Sequence, residues 1–189
     1  MIIGAIGIGN LLMFRPTLKK LRQNFPRAFF SLIVLKKSFA ELFTNDPLID
    51  ELIIADRALL KGIRKKLNFI RRLRQGKYDV VITTFPANRW EYNLLAYLSG
   101  APCRIAHSYY IKKWCSLSFL QNIKIPLKLA THDVEQNLRL LLPFDISWQK
   151  EEIKLDLPLT PDNLAQGEDF LRKNNLLNKL IGMNIFQWA

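Results

Sequence analysis

The sequence predicts an α/β fold with a parallel sheet, and three observations carry that expectation. Apolar, β-rich runs alternate with helical patterns along most of the 189 residues. The chain opens with an apolar run, a glycine-rich turn and an amphipathic stretch, Ile2-Ile3-Gly4-Ala5-Ile6-Gly7-Ile8-Gly9-Asn10 continuing through Leu11 to Lys20. A hydrophobic fraction of 49% is enough to build a substantial core in one domain, or in one domain and part of another. Strands separated by helices imply parallel pairing with helices on both faces, because a parallel connection needs a crossover. The expected architecture is therefore Rossmann-like.

At the opening, glycines 7 and 9 allow a sharp turn and close approach of a ligand, while the amides at the start of the next helix favour an acceptor or anion. The spacing Gly7-x-Gly9-x-x-Leu12 lacks the third glycine of a dinucleotide fingerprint, and no P-loop lysine-serine pair follows. Neither NAD nor ATP phosphate binding is supported. A plain strand-to-helix turn without a ligand is the alternative.

The alternation then continues with Phe29 to Leu35 and Phe39 to Thr44, Glu51 to Ile54 and Arg57 to Gln75, Tyr78 to Thr83 and Trp90 to Ser99, and Cys103 to Ala106. Asn45-Asp46-Pro47 should end the second helix, since the residue before proline avoids helical dihedrals. Gly100 suits a left-handed cap after Ser99. Thr131, with Val134 and Glu135 nearby, offers capping chemistry for a further helix. Leu157-Pro158-Leu159-Thr160-Pro161-Asp162 reads as a linker, with Thr160 as N-cap and Pro161 at the first helical position. One helix follows, to about Asn175, and then Lys179 to Ile185 has the character of a strand close to the terminus, with Phe186 and Trp188 beyond it. We expect a domain over 1–157 and the beginning of a second over 158–189.

The net charge of +12 predicts attraction to anionic partners without naming one. Lys61, Arg64, Lys65, Lys66, Arg71, Arg72, Arg74 and Lys77 lie in a stretch with no acid. Ile63, Leu67, Ile70 and Leu73 recur there at helical spacing, so one face is expected to pack on the core while the other carries the cations. That face is either a solvated surface or one that meets phosphate-rich lipid or nucleic acid. No apolar stretch reaches the roughly 18 to 20 residues that span a bilayer, and the start lacks the basic region of a secretory signal. A soluble cytoplasmic protein is expected. Cys103 and Cys115 are too far apart for a CxxC motif and read as reduced thiols without a zinc site.

Several segments together resemble glycosyltransferase family 9, the ADP-heptose:lipopolysaccharide heptosyltransferases. They are Gly7-Ile8-Gly9-Asn10-Leu11-Leu12 with Pro16 to Leu21, Phe25-Pro26, Asp46 to Ile53, Tyr78 to Ile82, Leu98 to Ala101 with Arg104-Ile105, and His132 with Glu135-Gln136-Asn137-Leu138. Their order and spacing cover residues 1 to about 145. The resemblance implies a GT-B enzyme, two Rossmann-like domains facing across a cleft, with the acceptor on the amino-terminal and the nucleotide sugar on the carboxy-terminal domain. Leu180 to Asn184 resembles the first strand of that donor domain, which makes this chain look truncated and its independent activity doubtful.

The same resemblance implies inverting, metal-independent transfer from an ADP-heptose-like donor to a lipid-linked or cell-surface glycan. It calls for no cofactor and puts the protein in the cytoplasm, or peripherally at the inner face of the membrane. The family places an aspartate, its proposed base, where this chain has Asn10. A carboxamide can hydrogen-bond a hydroxyl but takes no proton near neutral pH. Asn10 could equally cap the following helix.

Ligands of open α/β sheets sit outside the carboxyl ends of the strands. This directs attention to Gly9, to Thr84, Asn88 and Arg89 after the Tyr78 strand, and to His107 after the Cys103 strand. Arg89 could pair with a phosphate or carboxylate through its planar fork. His107 and His132 could carry protons or be structural. Tyr109-Tyr110-Ile111-Lys112-Lys113-Trp114 mixes aromatics with cations, as suits lipid headgroups, and makes Lys112 and Lys113 acceptor candidates; a surface loop folded on the core is the alternative. A non-catalytic module for anionic lipid or glycan is the second hypothesis. A nucleic-acid binder ranks last, having charge but no reading motif.

Overall fold

The computed structural model describes residues 1–4, 7–56, 61–109, 115–150, 153–157 and 159–176. The chain divides into two compact units, Met1–Leu157 and Pro158–Ala189. The first begins with β1 (Ile2–Gly4), α1 (Ile8–Asn24), β2 (Ser31–Val34), α2 (Lys37–Phe43), β3 (Glu51–Ile54) and α3 (Ile63–Gln75). It continues with β4 (Val80–Thr83), α4 (Trp90–Leu98), β5 (Cys103–Ser108), β6 (Ile123–Pro126) and α5 (Asp133–Arg139).

All pairings are parallel, in the order β3-β2-β1-β4-β5-β6. The expected α/β architecture is thus present, with one strand the periodicity did not suggest. β6 is only Ile123-Lys124-Ile125-Pro126, and its lysine and proline argue against a central strand. Both are tolerated because β6 lies at the sheet edge.

Side-chain alternation splits the core into two layers. Ile2, Leu32, Val34, Ile82 and Ile105 meet Leu11, Phe14, Leu18 and Leu21 of α1, Phe43 of α2, and Val134 and Leu138 of α5. The intervening Ile3, Ile33, Ile53 and Val81 face Leu73 of α3 and Tyr92 and Ala96 of α4. A residue slip in any strand would exchange the two sets, so register is strongly specified.

Several local expectations are corrected. Gly7 has φ −154°, an extended conformation open to any residue, and Gly9 lies within α1 with nothing near a would-be Cβ. The sterically demanding glycine is Gly4, where a Cβ would collide with the Leu11 side chain and press on the Ile33 carbonyl. Asn10 does not cap α1, because the helix begins at Gly7, which leaves Asn10 inside the first turn. His132, rather than Thr131, caps α5, its Nδ1 accepting from the Val134 N–H at 3.2 Å.

The basic helix also departs from expectation. Of its apolar positions only Leu73 is fully buried; Ile70 is half-buried, and Ile63 and Leu67 are exposed. Phe69 packs beside Leu73 instead, so the side that reaches the core is rotated away from Ile63 and Leu67.

Other boundaries follow the sequence. α2 stops before Asn45-Asp46-Pro47, and Gly100 follows α4 at φ 82°. In the second unit, α6 (Pro161–Lys173) starts with a capping box in which Thr160 and Asn163 satisfy each other's orphan donors. The strand-like segment 179–185 and the aromatics Phe186 and Trp188 lie outside the described residues.

Candidate functional site

The strand order reverses between β1 and β4: the chain leaves β1 through α1 toward β2, yet returns after β3 to pair β4 on the other side of β1. Such a switch point leaves a crevice at the carboxyl ends of the two strands, where neither crossover covers the sheet. The crevice is framed by the Gly7 to Asn10 turn after β1 and by the Thr84 to Arg89 loop after β4.

On the β1 side, α1 runs 17 residues and begins with no side-chain cap and no acid in its first turn. Its leading N–H groups therefore keep their donor capacity and point out of the helix. Gly9 is exposed and Asn10 half-buried. The Asn10 carboxamide makes no hydrogen bond to a described residue, leaving both donor and acceptor free.

On the β4 side, Thr84 is buried and fully committed. Its N–H and its hydroxyl both donate to the Ile3 carbonyl, at 3.2 Å each. Thr84 thus ties the exit of β4 to β1. Next to it, the Phe85 N–H donates to Oδ1 of Asn137, which is itself fully buried on α5 and donates to the Asp133 carbonyl. The Phe85-Pro86 bond is cis. Arg89 is exposed and pairs with Glu91 at 2.8 Å, a contact that raises its already high pKa.

The loops after β4 and β5 come together through rings. Phe85 meets His107 edge-on at 5.5 Å between centroids and stacks on Tyr109 at 6.2 Å. His107 is only 3% exposed, and its Nδ1 and Nε2 lie 3.2 and 2.9 Å from the carbonyls of Ile125 and Gln136. Burial pulls its pKa down, against the two carbonyls. A neutral imidazole can donate to only one of them. His107 therefore clasps β5 to β6 and α5, with neither nitrogen directed to a ligand.

Three buried polar atoms in these segments have no hydrogen-bond partner: Thr83 Oγ1 at the end of β4, Asn88 Oδ1 in the loop after it, and the Tyr109 hydroxyl after β5. Burial, and secondarily Asp133, pushes the Tyr109 phenol well above its ordinary pKa, so it stays a neutral donor and acceptor. Buried polar atoms are normally paired, so these three are exceptions, and they fall at the carboxyl ends of β4 and β5. The sequence pointed to Asn88 here, and named Tyr109 and Asn137 only as members of longer segments, without assigning them to the site. The only prior signal was their place after a strand and within the segment Glu135 to Leu138. Lys112 and Lys113 lie outside the described residues. The described residues of this region are mainly polar, and Arg89 among them is paired with Glu91.

No family model matches the sequence. Among curated proteins it is 24% identical over 153 residues to lipopolysaccharide heptosyltransferase 3 of Escherichia coli, covering 79% of this chain and 44% of that one. Among solved structures, a glycosyl transferase family 9 protein from Veillonella parvula superposes with a TM-score of 0.69 at 18% identity, over 94% of this chain and 49% of that chain. E. coli ADP-heptose lipopolysaccharide heptosyltransferase II gives a TM-score of 0.66 at 19% identity, over 93% and 50% of the two chains. E. coli heptosyltransferase WaaC, solved with ADP-2-deoxy-2-fluoro heptose, gives 0.65 at 19% identity, over 82% and 50%.

The fold is the α/β architecture of one half of a GT-B heptosyltransferase. The family that the chain resembles, in sequence and in fold, is the glycosyltransferase family 9 heptosyltransferases, and it spans about half the length of the relatives it matches. Among the described residues no helix is long and apolar enough to cross a membrane.

Proposed function

We propose that this chain supplies the acceptor side of an inverting, metal-independent glycosyltransferase that moves a heptose-like sugar from an ADP-linked donor to a lipid-linked or cell-surface glycan. The observation that carries this reading is the β1–β4 switch point, bordered by polar residues, in a fold shared with half of the heptosyltransferases. Asn10 and Asn88 are the residues we assign to acceptor hydroxyls, at a site that Gly9 leaves sterically open. Thr84 and His107 act as positioning residues through the backbone contacts they hold. Arg89 would reach an acceptor phosphate only by leaving Glu91.

The donor, in this reading, is held by a second domain to which residues 158–189 contribute a linker helix and a first strand. A lipid-linked acceptor makes the inner face of the cytoplasmic membrane the expected place of work. With Asn10 at the position of the family's aspartate, the chain lacks the carboxylate that would take the acceptor proton. That one substitution favours a second reading, a non-catalytic module that binds anionic lipid or glycan.

A transfer assay with ADP-heptose and a deep-core lipid acceptor separates the two, run with this chain alone and with a donor-binding domain supplied. Sugar transfer that requires the supplied domain supports the enzyme reading. Acceptor binding without transfer in either arrangement supports the binding module. Neither transfer nor binding would overturn both.

A further inference from the structure

The first two turns of α3 present a surface that the fold itself does not use. Every residue from 61 to 68 is exposed. Ile63 is 77% exposed and Leu67 50%, although their spacing is that of a core-facing stripe. The helix is held by its other end, where Leu73 is fully buried, Phe69 packs beside it, Arg72 pairs with Glu51 at 3.0 Å and Arg74 donates to the Leu98 carbonyl. At about 100° per residue, Ile63 and Leu67 point together, roughly a quarter turn or more away from the side that carries Phe69 and Leu73. The stripe therefore runs off the body of the protein.

Cations border this apolar ridge. By the same angular count, Arg64 and Arg71 lie along one side of Ile63 and Leu67, and Lys66 along the other. Lys61, Arg64, Lys65, Lys66 and Arg71 form no ion pair with a described residue, and the sequence has no acid between Asp56 and Asp79. Their field is uncompensated along the whole ridge.

The two features together discriminate between occupants. A nucleic acid would use the cations but gain nothing from Ile63 and Leu67. A protein groove would use the two apolar side chains but would need a dense negative rim to match the cations. An anionic bilayer uses both, because the apolar side chains enter the boundary between headgroups and acyl chains while ammonium and guanidinium groups reach back to the phosphates. We propose that the first two turns of α3 dock this protein onto an anionic phospholipid surface. The purpose of such docking, access to a lipid-borne acceptor, rests on the function proposed above; the contact itself does not.

Co-sedimentation of the 189-residue chain with phosphatidylcholine vesicles, with and without phosphatidylglycerol and at low and high salt, tests the proposal. Binding to phosphatidylglycerol vesicles should exceed binding to neutral ones by about tenfold or more and fall with salt. R64Q/K66Q, which removes one flanking cation from each side of the ridge, should weaken it by about 25-fold, at about fivefold per cation. I63S/L67S should weaken it by tenfold or more, because charge attraction without insertion anchors poorly. All four positions are exposed, so an unchanged circular dichroism melt should accompany both variants.

Equal binding to the two vesicle types would overturn the proposal. So would wild-type binding by I63S/L67S, the result expected of a purely electrostatic surface such as one for nucleic acid. Absence of vesicle binding by the wild-type chain, with intact transfer to a water-soluble acceptor, would reject the docking surface and leave the enzymatic reading standing.

Discussion

The carbonyl oxygen of Ile3 accepts two hydrogen bonds from Thr84, one from its backbone N–H and one from its hydroxyl, each at 3.2 Å. This double contact joins the carboxyl ends of the paired strands β1 and β4, from which the two crossovers diverge, so the walls of the site are tied together at their base. In Thr84→Val the N–H contact and the side-chain shape remain while the hydroxyl contact is lost. The expected cost is about 0.5–1.5 kcal/mol, read from the urea midpoint, together with weaker acceptor binding. A variant as stable as wild type would show that the hydroxyl contributes nothing to the clasp.

The two glycines at positions 4 and 9 should respond to alanine in opposite directions. Gly4→Ala forces a methyl against the Leu11 side chain and the Ile33 carbonyl, and should destabilise by about 1–3 kcal/mol. Gly9→Ala meets nothing within 4 Å and improves helix propensity, so it should stabilise by about 0.5–1 kcal/mol. If the open space above Gly9 receives the acceptor, the same variant binds acceptor more weakly. Thermal unfolding and acceptor titration on the same samples distinguish the effects.

His107 should make the protein acid-sensitive. Burial lowers its pKa in the folded state, so the unfolded state takes up the proton first as pH falls. Its contribution is complete above about pH 6.5 and is lost progressively as pH drops from there toward the lowered native value, with a slope of at most about 1.4 kcal/mol per pH unit. The amino-terminal amine, brought down to about 5 by burial, adds to the loss below pH 8. His107→Gln keeps that background, so urea midpoints at pH 8, 6.5 and 5 should fall less steeply in the variant. Parallel profiles would rule out titration of His107.

Asn10→Asp tests both halves of the site argument. A carboxylate in the first turn of α1 sits near the positive end of the helix dipole and beside N–H groups that no side chain caps. It should stabilise the fold by about 0.3–1 kcal/mol at pH 7, less at high salt. On the enzyme reading it also supplies a base near the acceptor hydroxyl, so transfer in the presence of a donor-binding domain should rise at least tenfold. Greater stability without greater transfer would show that position 10 is not where the acceptor proton is lost.

Much of the fold was legible because its signals are local. The β3 run Glu51 to Ile54 matches residue for residue, α4 ends one residue before the expected Ser99, and Thr160 caps α6 with Pro161 at its first position, as expected. The two errors of burial have a shared cause. Period alone showed that Ile63 and Leu67 share a helix face with Ile70, but not how much of α3 rests on the sheet. Likewise, Asn10 is a good capping residue by type, yet the helix start is decided by where the chain leaves β1, and that point is Gly7.

The sequence by itself determined the alternation of strands and helices, the basic run after β3, the asparagine at position 10 and the resemblance to half of a heptosyltransferase. These depend on residue type and spacing along the chain. Only the tertiary structure decided that Thr84 is spent on Ile3, that His107 is locked between two carbonyls, and that Arg15 and Asp46 form a buried ion pair at 3.1 Å. It also decided that Thr83, Asn88 and Tyr109 keep buried polar atoms without a partner. Those outcomes turn on partners far apart in sequence, and a side chain's availability is settled by what the packing brings within hydrogen-bond reach.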